Sequence, residues 1–414
     1  MLALLAAFAH ACPTIATGTI APLSFDTAQV AIVREGQRTT FSVSINPAGD
    51  PQSFALVLPV PTVLKQEEVR TLDPTIFARL DGYTGPRHVD DAGCGNSGGG
   101  TQSDSSEDGG TDENGAVDVE ASYLVGEYQV VILSAEESLS LEAWLSSNGY
   151  HLPDGADARL AEYIEMGSYF LAAKVADGAA LADGSSLSPL QVSYESDGFT
   201  IPLRLATLNS PGEQDMVIYA ITSDDEGTGG RVGIANYPEF TVADKCRWID
   251  PDGNDDFANF YELAFTDDWE AVSDAGWTVE YAGLWNDCNP CSGTSITAED
   301  IAALGFTGNP EEHHLTRIHS RYTPEQATQD LVLYASGILE SRVTTFADNV
   351  EQNACIENVC MIDPLPEEGG EDGKGELALA GGAGSGCASA PGVPVAGIGA
   401  LAVLLAGGRR RRRA

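Results

Sequence analysis

Val30-Ala31-Ile32-Val33, followed by Thr39-Thr40-Phe41-Ser42-Val43-Ser44-Ile45, decides the fold class. The first run is rich in β-branched residues and the second alternates apolar with polar side chains at period two, so both read as strands. Phe54 to Val60 reads as a more deeply buried strand, and Glu127 to Leu133 and Met216 to Thr222 continue the pattern. Helical spacing takes over between them. Glu136 to Asn148 sets Leu141, Trp144 and Leu145 on one face, and Ala156 to Met166 does the same with Leu160, Tyr163 and Ile164. Gly149 and Gly167 stop those helices. Phe257 to Val272 and Thr297 to Leu304 predict two more, the second opened by a capping box of Thr297 and Asp300. Strands over Trp277 to Tyr281, His314 to Tyr322 and Leu331 to Tyr334 complete an α+β chain of mostly antiparallel sheets with several packed helices.

Of the 414 residues, 43% are hydrophobic, which supplies one or two packed cores and excludes wholesale disorder. The formal net charge is −41, and five of the 21 basic residues are gathered in Arg409 to Arg413. A body so acidic repels nucleic acid and anionic lipid, so neither a nucleic-acid partner nor a peripheral lipid-binding role is expected. Gly93 to Gly115, rich in Gly, Ser, Asp and Glu, predicts a surface insertion. Asp363 to Gly386, acidic and then glycine-rich, predicts a flexible tether. The expected organisation is a signal peptide over 1–11, an α+β domain over 12–242, an Asp- and Trp-rich second half over 243–362, a linker over 363–386 and a terminal signal over 387–414. The soft boundary falls near Ala243.

The two ends point to export. Leu2 to Ala9 is apolar, and Ala9-His10-Ala11 places small residues at both positions that a signal peptidase reads, predicting cleavage between Ala11 and Cys12. Ala9 makes a weak lipobox for Cys12, so ordinary cleavage is expected. Ala390 to Gly408 is uncharged and, as a helix, spans about 28 Å, close to the hydrocarbon thickness. Arg409 to Arg413 follow at once, the order that leaves a C-terminus on the cytoplasmic side of a transmembrane helix. Upstream stands Gly386-Cys387-Ala388-Ser389-Ala390-Pro391-Gly392. This cysteine, short apolar helix and arginine cluster, roughly residues 384–414, resemble a myxobacterial-type C-terminal sorting signal (MYXO-CTERM). The resemblance implies a sorting protease that cuts near Cys387, with that cysteine as the processing or lipid-attachment point, and delivery to the cell surface. The export machinery and that protease are the expected partners, with the membrane reached through the C-terminal helix.

A second resemblance covers roughly residues 12–335. Ser53-Phe54-Ala55-Leu56-Val57-Leu58-Pro59-Val60-Pro61, Leu141-Glu142-Ala143-Trp144-Leu145, Gly167-Ser168-Tyr169-Phe170-Leu171-Ala172-Ala173-Lys174, Ile201-Pro202-Leu203-Arg204-Leu205 and Leu315-Thr316-Arg317-Ile318-His319-Ser320-Arg321-Tyr322-Thr323-Pro324 resemble the bacterial domain-of-unknown-function family 2330. The family implies an exported envelope protein with no established activity. This chain has Cys12 alone where the family usually carries a cysteine pair.

Export makes disulfides the first reading of cysteine. Cys94, Cys246, Cys288, Cys291, Cys355 and Cys360 are the candidates, and their connectivity stays open. The closeness of Cys288 to Cys291 and of Cys355 to Cys360 suggests that each pair is local or that the two are mutually bridged. The same spacings fit zinc, which an oxidising compartment disfavours. Gly93-Cys94-Gly95-Asn96-Ser97-Gly98-Gly99 satisfies two glycine-rich motifs, yet no helix or strand–turn–helix follows, so Ser97 reads as loop. His313, His314 and His319 lie beside Glu311 and Glu312 without an H-E-x-x-H pattern. On a strand, the odd separation of His314 and His319 points them to opposite faces. Asp250, Asp252, Asn254 and Asp256 crowd oxygens into a turn around Gly253, the chain's best candidate for Ca²⁺, against the alternative of a solvated Asp-rich turn. Trp277, Tyr281 and Trp285 recur at even separation, so an extended segment would set them on one face, either as buried core or as a stacking platform.

The expected function is a non-catalytic structural or binding protein displayed at the cell envelope. The alternative is an envelope metal-dependent hydrolase drawing on the histidine or Asp clusters. The two differ in what the fold must present: a concave site of converging polar groups, or a shallow exposed face.

Overall fold

A computed structural model describes residues 14–17, 28–44, 54–89, 119–134, 138–147, 150, 152–153, 155–176, 187–209, 212–224, 229–242, 257–272, 274–285, 287, 295–347, 353–356 and 359–362. All of them lie in one compact unit, residues 1–366; a second unit covers 367–414. The first strands are β1 (Thr14–Thr17), β2 (Ala28–Glu35), β3 (Arg38–Val43), β4 (Phe54–Val60) and β5 (Val69–Thr71), followed by helix α1 (Ile76–Thr84) and β6 (Arg87–Val89). Next come β7 (Val119–Val125), β8 (Tyr128–Leu133), α2 (Ser138–Ser147), α3 (Ala156–Glu165), β9 (Tyr169–Val175), β10 (Leu190–Glu195) and β11 (Thr200–Ile201). Then β12 (Gln214–Ser223), β13 (Val232–Ile234), α4 (Phe257–Val272), β14 (Gly276–Leu284), α5 (Ala298–Ala303) and β15 (His313–Tyr322) build the second half. The described part ends with β16 (Leu331–Ala335), β17 (Arg342–Val343), β18 (Thr345–Ala347), β19 (Asn353–Ile356) and β20 (Val359–Ile362). The chain is mixed α+β with mostly antiparallel pairing, as its periodicity predicts. The C-terminal helix expected over 390–408 lies outside the described residues, among which no helix is long and apolar enough to cross a membrane.

Two large sheets carry the architecture. One has eight strands in the order β17-β14-β15-β12-β2-β3-β10-β5, and the other has five in the order β1-β4-β9-β8-β7. The β2–β3 hairpin turns through Gly36, whose φ of 61° suits a two-residue connection. In the larger sheet only β2 and β12 run parallel. The expected boundary near Ala243 falls between strands that share this sheet, since β14, β15 and β17 follow it while β2, β3, β5, β10 and β12 precede it.

Burial assigns the layers. Val30, Ile32, Ile218 and Ile318 from the eight-stranded sheet meet Leu56, Leu58, Val130, Ile132 and Leu171 from the five-stranded one in a single core. The far face of the smaller sheet, with Val57, Leu133 and Phe170, is covered by Leu141 and Leu145 of α2 and Leu160 and Tyr163 of α3. On the far face of the larger sheet, Ala31, Val33, Tyr219 and Leu315 are covered by Ile76, Phe77 and Leu80 of α1 and by Ile301 of α5. There α4 adds Phe260, Phe265 and Trp269 beside Phe346. The result is a helix–sheet–sheet–helix sandwich. Each fully buried Leu, Ile or Phe contributes about 1.5–3 kcal/mol relative to exposure. A three-stranded sheet, β11-β16-β13, supplies Ile201, Leu331 and Ile234 to the inter-sheet core.

The aromatic face expected from Trp277, Tyr281 and Trp285 does not form. The pairing of β14 with β15 shifts between Val279 and Tyr281, leaving Glu280 as an extra residue in a bulge. Trp277 and Val279 therefore enter the inter-sheet core, whereas Tyr281 joins the helix-side core with half-buried Trp285 against it. Trp277 and Tyr281 are fully buried.

Candidate functional site

β15 is buried along its whole length, yet its sequence is not the apolar run expected of a strand covered on both faces. Period two separates its side chains. Ile318 and Tyr322 enter the inter-sheet core, while Leu315 enters the helix-side core, so Arg317, His319 and Arg321 project from the helix side with Leu315. The Glu280 bulge aims a carboxylate at the same place.

These groups form one continuous chain of ion pairs. Arg317 donates through Nε to Glu280 and through Nη1 to Asp81 of α1, the latter at 2.6 Å. His319 holds Nδ1 2.8 Å from Glu280 Oε1 and Nε2 3.5 Å from Asp215 Oδ1. Its ring stacks on Phe265 of α4, with centroids 3.9 Å apart. Arg321 grips Asp215 with two bonds of 2.6 Å and reaches Glu262 of α4 at 2.7 Å. Tyr261 of α4 donates its hydroxyl to Glu280. Burial pushes Glu280 up, but Arg317, His319 and the hydrogen bonds from His319 and Tyr261 outweigh it and hold the group at about 2. Burial likewise lowers His319, and Glu280 and Asp215 reverse the shift, raising it to about 9. His319 is therefore a buried imidazolium at neutral pH. The network ties α1 and α4 to the middle of the sheet.

The other two histidines do not join it. His313 Nδ1 lies 2.5 Å from the Pro310 carbonyl, and His314 Nε2 donates to the Glu340 carbonyl at 2.9 Å. Burial lowers both pKa values against the pull of those carbonyl bonds. His314 and His319 fall on opposite faces of β15, as their odd spacing predicts. Among the described residues no group of three or more His, Cys, Asp or Glu could hold a metal ion. Around His319, the carboxylates that a cation would need are held by Arg317 and Arg321.

Accessible recesses lie elsewhere, two of them beside β16. This strand alternates, with Leu331 and Leu333 inward and Val332 and Tyr334 outward, 41% and 44% exposed. On one side of it lies a recess of about 410 Å³ lined by Pro59, Pro61, Tyr163, Met166, Arg204 and Val332. Its polar wall is fixed: Asp330 accepts from Tyr163 Oη at 2.5 Å, from Arg204 Nη2 at 3.0 Å and from the Leu203 amide at 3.0 Å. The Arg204 guanidinium also stacks over the Tyr163 ring at 4.7 Å. A second recess, about 720 Å³, is lined by Glu35, Asp224 and Glu312 together with Phe199, Phe306 and Tyr334. Glu35 is anchored there by the amides of Thr307 and Gly308, at 2.9 and 3.0 Å. Of the five large hydrophobic side chains exposed among the described residues, Met166, Val332, Tyr334 and Ile338 line these recesses or follow β16, and only Leu263 is on α4.

Most residues singled out from the sequence fall outside the described part. These are Ala11 and Cys12, Cys94, Ser97, Cys246, the Ca²⁺ candidates Asp250, Asp252, Asn254 and Asp256, Cys288, Cys291 and Cys387. Cys355 and Cys360 stand directly opposite each other in the β19–β20 pair. Sequence reasoning passed over Glu280, Asp215, Arg204, Asp330 and Tyr334. The available signal was the Arg317-x-His319-x-Arg321 alternation, which on a buried strand demands acidic partners.

A family model described as "Uncharacterized protein conserved in bacteria (DUF2330)" matches residues 6–334. No curated protein matches the chain. Among solved structures, the crystal structure of baculovirus P35 is similar at 12% identity over 56% of this chain and 80% of its own, with a TM-score of 0.29. A likeness of that degree carries no argument about fold or function.

Proposed function

The chain belongs to the DUF2330 family of bacterial proteins, and from that premise we propose that it is an exported envelope protein that binds a partner through the face around β16. The observation that carries the binding reading is that exposed Met166 and Val332 line one recess and exposed Tyr334, next outward on the same strand, lines the other, with exposed Ile338 soon after β16 in sequence. Singly exposed apolar side chains are ordinary, whereas a gathered set flanked by polar walls is the composition of a contact surface. In the larger recess Glu35, Asp224 and Glu312 outnumber Arg34, so its charge balance is acidic and favours a partner that presents cationic groups alongside an apolar surface. The export reading is supported by the signal-peptide pattern over 1–11 and the resemblance of 384–414 to a MYXO-CTERM sorting signal. In that reading the chain is cut after Ala11 and near Cys387 and is held at the surface.

Binding of the purified protein to its own envelope fraction tests the face. V332S/Y334S should keep its melting temperature and lose at least about tenfold in affinity, because a central aromatic and its neighbour commonly dominate such contacts. Unchanged binding would refute the face. Intact mass of the protein recovered from cells tests the location: loss of both terminal segments is expected, and a chain retaining Met1 and Ala414 refutes the processing. The alternative, a metal-dependent hydrolase, draws on the closeness of His319 to Glu280 and Asp215. It requires those carboxylates to leave Arg317 and Arg321, and hydrolysis that appears on adding a divalent metal would favour it.

A further inference from the structure

β19 and β20 pair only with each other among the described strands, forming a two-stranded sheet of their own. Their register sets Asn353 against Ile362, Ala354 against Met361, Cys355 against Cys360 and Ile356 against Val359. Glu357 and Asn358 alone separate the strands in sequence. In a hairpin with a two-residue connection, the pair flanking the connection exchanges backbone hydrogen bonds, and the next pair outward does not. Cys355 and Cys360 are that next pair. At such a position the Cα atoms stand about 4.5 Å apart. That falls within the roughly 4.4–6.8 Å that a disulfide spans. A lone two-stranded hairpin is marginal in water, because it lacks a third strand or helix to cover it. A covalent rung would constrain a hairpin of this kind.

We propose that Cys355 and Cys360 form a cross-strand disulfide that staples this hairpin, the last paired element before the acidic segment beginning at Asp363. The inference rests on the exported location proposed above, since thiols pair durably in oxidising compartments. The co-reactant is the disulfide of an oxidised dithiol carrier. One cysteine thiolate attacks that disulfide to form a mixed disulfide, and the second attacks the mixed disulfide in turn. The new S–S bond forms, the carrier leaves as a dithiol holding both protons, and two electrons pass to it.

Arg342 and Lys374 bracket both cysteines with no basic residue between, so trypsin leaves them in one peptide, Val343 to Lys374. The full-length purified protein is equilibrated in a glutathione redox buffer, its free thiols are blocked with N-ethylmaleimide, and this peptide is weighed. The expected peptide is unlabelled and lighter by two hydrogens than its reduced form, and cleavage after Glu357 leaves its halves joined until a reductant is added. Maleimide on either cysteine, or a bridge from either to Cys94, Cys246, Cys288 or Cys291, overturns the pairing. C355S should leave Cys360 labelled and every other cysteine unchanged; reshuffled labelling also overturns it. The same measurement on protein taken directly from cells separates the two readings. A closed peptide supports both, whereas one closed in buffer and labelled in the cell overturns the location and leaves the pairing standing.

Discussion

Glu280 is the residue left over when β14 and β15 change register, and its carboxylate joins Arg317 to His319 in a place closed to water. Removing one partner of such a buried pair strands the others, so Glu280→Gln should destabilise the fold by about 3–5 kcal/mol in urea unfolding. His319 gives the network a pH signature. Its folded pKa of about 9 stands above the ordinary 6.5, so its contribution is complete below 6.5 and is lost as pH rises through 9. Glu280 lies at about 2 against an ordinary 4.5, so its contribution is complete above 4.5 and is lost as pH falls through 2. His313 and His314 are lowered and act in the opposite sense to His319, favouring the fold as pH rises through 6.5. The comparison must therefore be differential. His319→Gln should be less stable than the parent at pH 6, with the gap narrowing toward pH 10 in thermal melts; a gap independent of pH would mean that His319 is neutral. At this scale the sequence was legible where spacing alone decides, as with His314 and His319. It was silent on Glu280, because a bulge appears only once two strands are paired, and the same bulge sent Trp277 and Tyr281 to opposite faces.

Among the elements, α5 shows how local chemistry is read correctly. Thr297 accepts from the Asp300 amide and Asp300 returns the bond to the Thr297 amide, closing the expected capping box. Thr297→Ala should cost about 1 kcal/mol, measured by thermal unfolding, as loss of a cap usually does. Asp300 also pairs with Arg79 of α1 at 2.6 Å, so Asp300→Ala should cost more than Thr297→Ala. α4 matches its expected span of Phe257 to Val272 because its apolar residues keep helical spacing. By contrast α1 and β10 were not read as elements from periodicity. Their apolar residues belong to contacts with β2, β3 and β12, partners distant in sequence that no local pattern announces. β16 was legible as a strand but not as a surface, since which of its faces meets solvent is decided by the sheet beneath it.

For the molecule as a whole, a net charge of −41 works against compaction through self-repulsion. Raising sodium chloride from low to physiological strength should therefore raise the melting temperature, and a flat response would show that the acidic groups are already neutralised, for instance by bound cations. Salt should also weaken attachment of the cationic partner proposed for the β16 face. The four-layer sandwich itself was legible only as α+β, because the assignment of strands to two sheets depends on pairings across hundreds of residues. The middle of the larger sheet joins β2, which begins at Ala28, to β12 and then to β15, which ends at Tyr322. A fragment that stops short of β15 cannot close the centre of the domain. The larger sheet is therefore completed only late in synthesis, once the ribosome has passed Tyr322.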